Sequence, residues 1–203
     1  MRMRRTLVAL AVLVCRTGHS QTENPTVDPT EKKPAPPTLH LVSRIDVKDF
    51  GAETVRIGDL SGDGAPDLLF VQSAYGTREI TCLTAATIHG EILWQTGRPS
   101  AENGRIYSDL PVQVYDWDDD GRNEVLHVRQ ARYAEPPYDG KSPRERADRY
   151  EGEAAMVVLD ATSGKELRAF PLPAPADDSF RFADRPGRGR REDLVVKDRY
   201  WNV

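Results

Sequence analysis

The stretch VYDWDDDGRNEVLHV, Val114–Val128, places four aspartates within five residues and then runs directly into apolar sequence. Carboxylates at that density repel one another, so something must offset the repulsion. Their spacing names a candidate. Counting Asp116 as position 1, acids follow at position 3 (Asp118), position 5 (Asp120) and position 9 (Glu124), with Gly121 at 6 and the Arg122 carbonyl at 7. This is the ligand spacing of a calcium loop: side-chain oxygens at odd positions, glycine at the sharp turn, then a backbone carbonyl. Asp119 is expected to point into solvent. The sequence flanking the loop reads as strand, not helix, which excludes a paired EF-hand.

The pattern recurs. VRIGDLSGDGAPDLLFVQ from Val55 offers side-chain oxygens from Asp59, Ser61, Asp63 and Asp67, a turn at Gly64 and a carbonyl from Ala65. Two copies at equivalent places argue for two structural Ca²⁺ sites; all the donors are hard oxygens, and magnesium asks for a stricter octahedron. A third copy, FRFADRPGRGRREDLVVKD from Phe180, keeps Asp184 but has Arg185, Pro186 and Arg188 at ligand places and one extra residue before Asp193. It is expected to bind no ion, with Arg188 or Arg190 neutralising Asp184.

Each copy is an alternating strand, an acidic Gly-containing loop and an apolar strand. Between copies stand ITCLTAATIHGEILWQTG and MVVLDATSGKELRAFPLP, each a strand, a tight turn at Gly90 or Gly164, and a second strand. The unit is thus four strands. The first is expected at 54–58, 67–72, 79–84 and 91–95, and the second at 112–116, 124–129, 154–159 and 166–170. The third supplies 179–183 and 193–198. Repeated four-stranded antiparallel units mark a β-propeller. A β-sandwich also has many short strands, but gives no reason to reuse one loop chemistry every fourth strand. The fold is read as all-β: an incomplete propeller over 39–203, with blades at about 54–96, 112–171 and 179–203. LHLVSRIDV, Leu39–Val47, reads as a strand of a closing blade. Two blades and part of a third fall short of the four to eight of a closed propeller, which points to a fragment of a longer one.

The loops resemble the FG-GAP/VCBS repeats of integrin-type propellers. DFGAETVRIGDLSGDGAPDLLFVQSA carries the Phe50–Gly51 pair, the acidic loop and the following strand, while Gln72-Ser73-Ala74 stand in place of the closing Gly-Ala-Pro. VQVYDWDDDGRNEV, LDATSGKEL and EDLVVKDRYWNV are similar to blade phrases of secreted rhamnogalacturonan lyases. That resemblance covers about residues 54–203. It implies structural calcium in the loops and an active site in a groove formed by many blades; no position matches an active-site motif.

The N-terminus explains where such a chain would work. MRMRR is basic, Thr6–Cys15 is apolar but shorter than the roughly 20 residues a membrane span needs, and Gly18 and Ser20 form a small-residue exit. This reads as a signal peptide, residues 1–20, cleaved near Ser20, for export to the periplasm or outside. Residues 21–38, with five prolines, read as a disordered linker. Removing residues 1–20 takes four of the 28 basic residues and none of the 32 acids, leaving a net −8. Nucleic acid is a poor partner for such a chain. Cys82 is then the lone thiol and no intrachain disulfide can form.

Antiparallel alternation sends the loops joining first to second strands to one end of each blade. The loops joining second to third strands, and the links between blades, go to the other. A ligand is expected at that second end, where loops vary without disturbing the ions. Arg105 and Arg132 suit carboxylates there, and Tyr133, Tyr138, Tyr150 and Trp201 suit sugar rings. Two functions follow: a secreted calcium-binding module for extracellular glycans or proteins, without catalytic residues of its own, or the N-terminal part of a polysaccharide lyase acting on a uronic-acid polymer by β-elimination. The lyase needs a base and a cation acting beside the carboxylate, and these residues supply no such constellation. His40, His89 and His127 do not cluster into a zinc site.

Overall fold

The computed structural model describes residues 40–74, 78–105, 109–130, 154–173, 176, 178–189, 191 and 193–197. All but His40 belong to the unit Leu41–Val203; the expected signal peptide and linker lie outside the described residues. Among the described residues ten strands form three antiparallel sheets in chain order. The first is β1 (Thr54–Gly58), β2 (Asp67–Ser73), β3 (Ile80–Thr87) and β4 (Ile92–Gly97). The second is β5 (Val112–Tyr115), β6 (Glu124–Gln130), β7 (Ala154–Asp160) and β8 (Glu166–Pro171). The third pairs β9 (Ser179–Ala183) with β10 (Asp193–Lys197). In both four-stranded sheets each strand pairs with its sequence neighbour. No helix among the described residues is long and apolar enough to cross a membrane.

Alternation along each strand decides what the sheets do with their faces. In β2, Leu69 and Val71 face the second sheet, where they pack with Leu83, Ala85 and Trp94 against Val112, Val125, Val157 and Leu159. The other parity of the second sheet, Leu126, Val128, Met156 and Val158, packs on Phe180, Phe182, Leu194 and Val196 of the third. The middle sheet is therefore buried on both faces. A two-sheet sandwich buries only one face of each sheet, so successive sheets stack here as the blades of a partial propeller do. Each fully buried Leu or Val contributes about 1.5–3 kcal/mol of transfer free energy. The first strands β1, β5 and β9 are neighbours in the same order. Across them Arg56 Nε donates to the Val112 carbonyl at 2.7 Å and Gln113 Nε2 to that of Phe180 at 3.4 Å.

Two expectations are corrected. β3 runs on to Thr87, because Ala85 and Ala86, weak strand formers, are fully buried in the two layers flanking the sheet. And residues 40–47 pair with no strand among the described residues. The segment instead lies across the outer face of the first sheet. Ile45, Val47 and Phe50 cover Phe70 and Ala86, with the Phe50 and Phe70 rings edge-to-face at 5.3 Å. The buried Gln72 amide fastens it, Nε2 donating to the Asp49 and Gly51 carbonyls at 2.8 and 2.9 Å while Oε1 accepts from Ser100 N–H. An end sheet of a stack needs such a cap, and the lead-in supplies part of one; Ile57 stays 69% exposed.

A buried polar link joins first and third sheets. Arg78, in the β2–β3 connection, donates through Nη2 to the Asp109 carbonyl and lies 3.8 Å from Asp178, which also accepts from Lys197 Nζ at 2.6 Å. Three chain segments distant in sequence thus share one ion-paired cluster.

Candidate metal centre

The three β-strand-to-β-strand loops 59–67, 116–124 and 184–193 share one backbone. Position 4 is left-handed in all of them (Gly62 φ +81°, Asp119 φ +60°, Gly187 φ +70°), as is position 6 (Gly64 φ +83°, Gly121 φ +87°, Gly189 φ +82°). Glycine takes that conformation freely, and aspartate is among the few other residues that tolerate it. Asp119 is exposed.

The position-1 carboxylate closes each loop from inside. Asp59 accepts from Gly62 and Gly64 N–H at 2.6 and 2.9 Å. Asp116 accepts from Asp120 and Gly121 N–H at 3.0 and 2.9 Å, and Asp184 from Arg188 and Gly189 N–H at 2.8 and 2.5 Å. The last acid closes it from the following strand. Asp67 accepts from Leu60 and Ser61 N–H, Glu124 from Trp117 N–H, and Asp193 from Arg185 N–H. These bonds persist in the third loop, which has Pro186 and Arg188 in place of ligand-type side chains at positions 3 and 5. The terminal acids are thus scaffold in all three copies, and only positions 3 and 5 distinguish the first two. Arg188 meets Asp184 through its backbone N–H, and Arg190 lies outside the described residues.

In the second loop the trio converges: Asp116, Asp118 and Asp120 each offer an oxygen within 4.8 Å of the others. The Arg122 guanidinium bonds Asp120 at 2.7 Å, and that bond, with the Arg122 N–H, holds the Asp120 carboxyl below its usual range. Glu124 goes the other way. Burial first, then the negative charges of Asp118, Asp120 and Asp116, push its carboxyl up to about 7, the Trp117 N–H pulling against them. In the first loop Asp63 accepts from Ala65 N–H at 2.8 Å. Ser61 Oγ is buried with no hydrogen-bond partner among the described residues, a costly state for a hydroxyl. A hard cation would meet carboxylate and carbonyl oxygens at either loop, and the Ser61 hydroxyl at the first, with no soft donor among them.

The loops are neighbours. Asn123 Nδ2, at position 8 of the second, donates to the Asp59 carbonyl of the first at 3.1 Å. A Cβ on Gly58 would sit 2.5 Å from Val114, and one on Gly62 would stand 3.7 Å from Thr162 in the β7–β8 turn. In that turn Asp160 accepts from Thr162 and Ser163, and the two side-chain hydroxyls lead in holding its carboxyl low. The loops after first strands and the turns after third strands therefore gather at one end, as alternation requires. Sequence reading passed over Asn123; its place beside a ligand position was the only signal. Trp117, at position 2 of the second loop, is placed by its ring: it stacks on Phe170 at 6.3 Å with the Arg168 guanidinium 5.5 Å over it. Of the ligand-face residues, Arg105 is exposed at the end of a 3₁₀ turn, Ala101–Gly104. Arg132, Tyr133, Tyr138, Tyr150 and Trp201 lie outside the described residues.

No family model matches the sequence, and no curated protein matches it. Among solved structures, rhamnogalacturonan lyase PL11 of Bacillus licheniformis is similar to it at TM-score 0.40 and 19% identity, over 61% of this chain and 23% of that one. Rhamnogalacturonan lyase YesW is similar at TM-score 0.39 and 21% identity, again over 61% and 23%. The chain spans about a quarter of either lyase, and at these TM-scores neither likeness bears on its activity.

Proposed function

We propose that this chain is a secreted, calcium-stabilised β-propeller module whose role is binding an extracellular glycan or protein. The observation that carries the calcium reading is the convergence of Asp116, Asp118 and Asp120 in a loop that the backbone bonds of Asp116 and Glu124 already close. One ion takes these carboxylates, the Arg122 carbonyl and Glu124, displacing the Arg122 guanidinium from Asp120. The other takes Asp59, Ser61, Asp63, the Ala65 carbonyl and Asp67. Ser61 Oγ, otherwise an orphaned buried hydroxyl, gains its partner there. Extracellular modules with such sites need only weak affinity, with Kd about 10⁻⁴–10⁻³ M. The basic, apolar and small-residue run of residues 1–20 supports export.

Calorimetry with Ca²⁺ and thermal unfolding with and without EGTA test the reading. Calcium at 100 times Kd should raise stability by about 2.7 kcal/mol per site. Asp118→Asn should lose one site and Asp119→Asn none. Equal melting temperatures in calcium and EGTA, with no calorimetric heat, would overturn it. A glycan array separates the two ligand classes.

A further inference from the structure

Between the first strands of the second and third sheets lies a cavity of about 140 Å³. Gln113 and Tyr115 of β5, Arg181 and Phe182 of β9, and Arg191 from the third loop line it. We infer that this cavity binds a carboxylate carried on a single ring.

The charge argument comes first. Arg181 donates through Nη1 to the Phe180 carbonyl, and its Nη2 stands 3.9 Å from Asp109 Oδ2. That carboxylate is already engaged: Arg56 Nη2 bonds its Oδ1 at 2.5 Å. Arg191 has no ion-pair partner among the described residues. Two guanidinium groups therefore share one carboxylate and a third, Arg191, stands without one, so excess positive charge borders the cavity. A guanidinium presents parallel N–H donors that match a carboxylate's two oxygens, and does so where an ammonium offers only a point charge.

The walls supply the second part. Tyr115 and Phe182 stack with ring centroids 4.6 Å apart and planes 13° from parallel. They give the cavity a flat apolar wall beside its cations, which suits a ring whose face or edge can bury against them. Gln113 is held by its bond to the Phe180 carbonyl and so presents a fixed amide. Ordinary ligand pockets run to roughly 300–1,000 Å³, so this one has room for one ring and its carboxylate. The two loops proposed to hold calcium, 59–67 and 116–124, contribute none of these residues, so the site stands or falls apart from calcium binding.

The test uses the full chain in millimolar calcium, titrated by NMR. Benzoate and glucuronate carry the carboxylate on a flat and a puckered ring. Benzamide and glucose keep the rings and lose the charge; acetate keeps the charge and loses the ring. Saturable binding of benzoate or glucuronate is expected, at least tenfold tighter than the matching neutral ring and than acetate. The Arg191 Nε–H resonance should shift with it, and the tighter of the two acids tells which ring the site takes. Arg191→Ala and Arg181→Gln should each weaken that acid at least tenfold, with Arg191→Lys between them and the unaltered protein, while Arg105→Ala leaves it unchanged. Absence of saturable binding by both acids, or binding indifferent to Arg191→Ala in a protein whose melting temperature is unchanged, would overturn the inference. Calcium heats that persist in that case would leave the proposed module untouched.

Discussion

Trp94 Nε1, from the last strand of the first sheet, donates to the Ala161 carbonyl in the β7–β8 turn of the second at 2.6 Å. The indole is 8% exposed and belongs to the layer between these sheets. It is at once a packing element and the partner of a buried carbonyl, so its two roles can be separated. Trp94→Phe keeps a ring but orphans the Ala161 oxygen, and should cost about 1–3 kcal/mol. Trp94→Ala also removes the packing and should cost about 3–5 kcal/mol. Urea unfolding checks both; equal losses for the two variants would refute the latch.

The same indole makes Gly164 irreplaceable for two reasons. Its φ is +68°, and a Cβ there would fall 2.5 Å from Trp94 Cε3. Gly121 shares only the first, with φ +87° and nothing within 4 Å of its Cβ place. Gly121→Ala should therefore cost about 1–2 kcal/mol, the left-handed penalty alone, and Gly164→Ala distinctly more. Combining Gly164→Ala with Trp94→Ala should recover the excess. If the alanine at 164 proves no worse than that at 121, the contact is not the reason glycine stands there.

How far these features were legible follows from what sequence periodicity encodes. Alternation records which side of a strand is buried, and it placed the ten described strands to within three residues at their ends. It does not record whether a backbone partner exists. Residues 40–47 alternate well enough to read as strand, yet their apolar side chains only cap Phe70 and Ala86. The acidic loops were legible because their chemistry repeats. Their shared backbone was half legible: glycine at position 6 announced itself, whereas the left-handed Asp119 at position 4 did not. The cavity between β5 and β9 was not legible, because Tyr115 and Arg191 come together only through packing of separate sheets.

His127 faces the layer between the first two sheets, opposite Val112 and Val157 in its own. Its Nδ1 is buried with no hydrogen-bond partner among the described residues. Burial pushes the imidazole down to about 4, with the Val128 backbone pulling against it. A histidine held neutral in the fold favours unfolding once the free side chain can take a proton. Its contribution is thus intact above pH 6.5 and is lost as pH falls from 6.5 towards 4. His127→Leu should flatten the stability profile across that window, measured by urea midpoints at pH 7 and 4.5, and should not weaken the protein at pH 7. A profile unchanged by the substitution would show that other groups carry the acid sensitivity.

Glu124 predicts the opposite slope, and only without a cation. Its carboxyl is raised from 4.5 to about 7, so the fold binds that proton more tightly than the unfolded chain does. Stability from this group is full below pH 4.5 and drains away as pH rises through 7, because the charged form is then buried among Asp116, Asp118 and Asp120. A bound divalent ion reverses the preference, since it favours the carboxylate. In EDTA the unaltered protein should therefore lose stability relative to Glu124→Gln between pH 5 and pH 8, the opposite slope of His127 being common to both. In millimolar calcium the unaltered protein should regain its stability at pH 8, and Glu124→Gln should regain less. Urea midpoints at the two pH values, in EDTA and in calcium, give all four comparisons. A gap between the two proteins that is the same in EDTA at pH 5 and 8 would mean that the carboxylate crowding around Glu124 is already neutralised by something other than an ion.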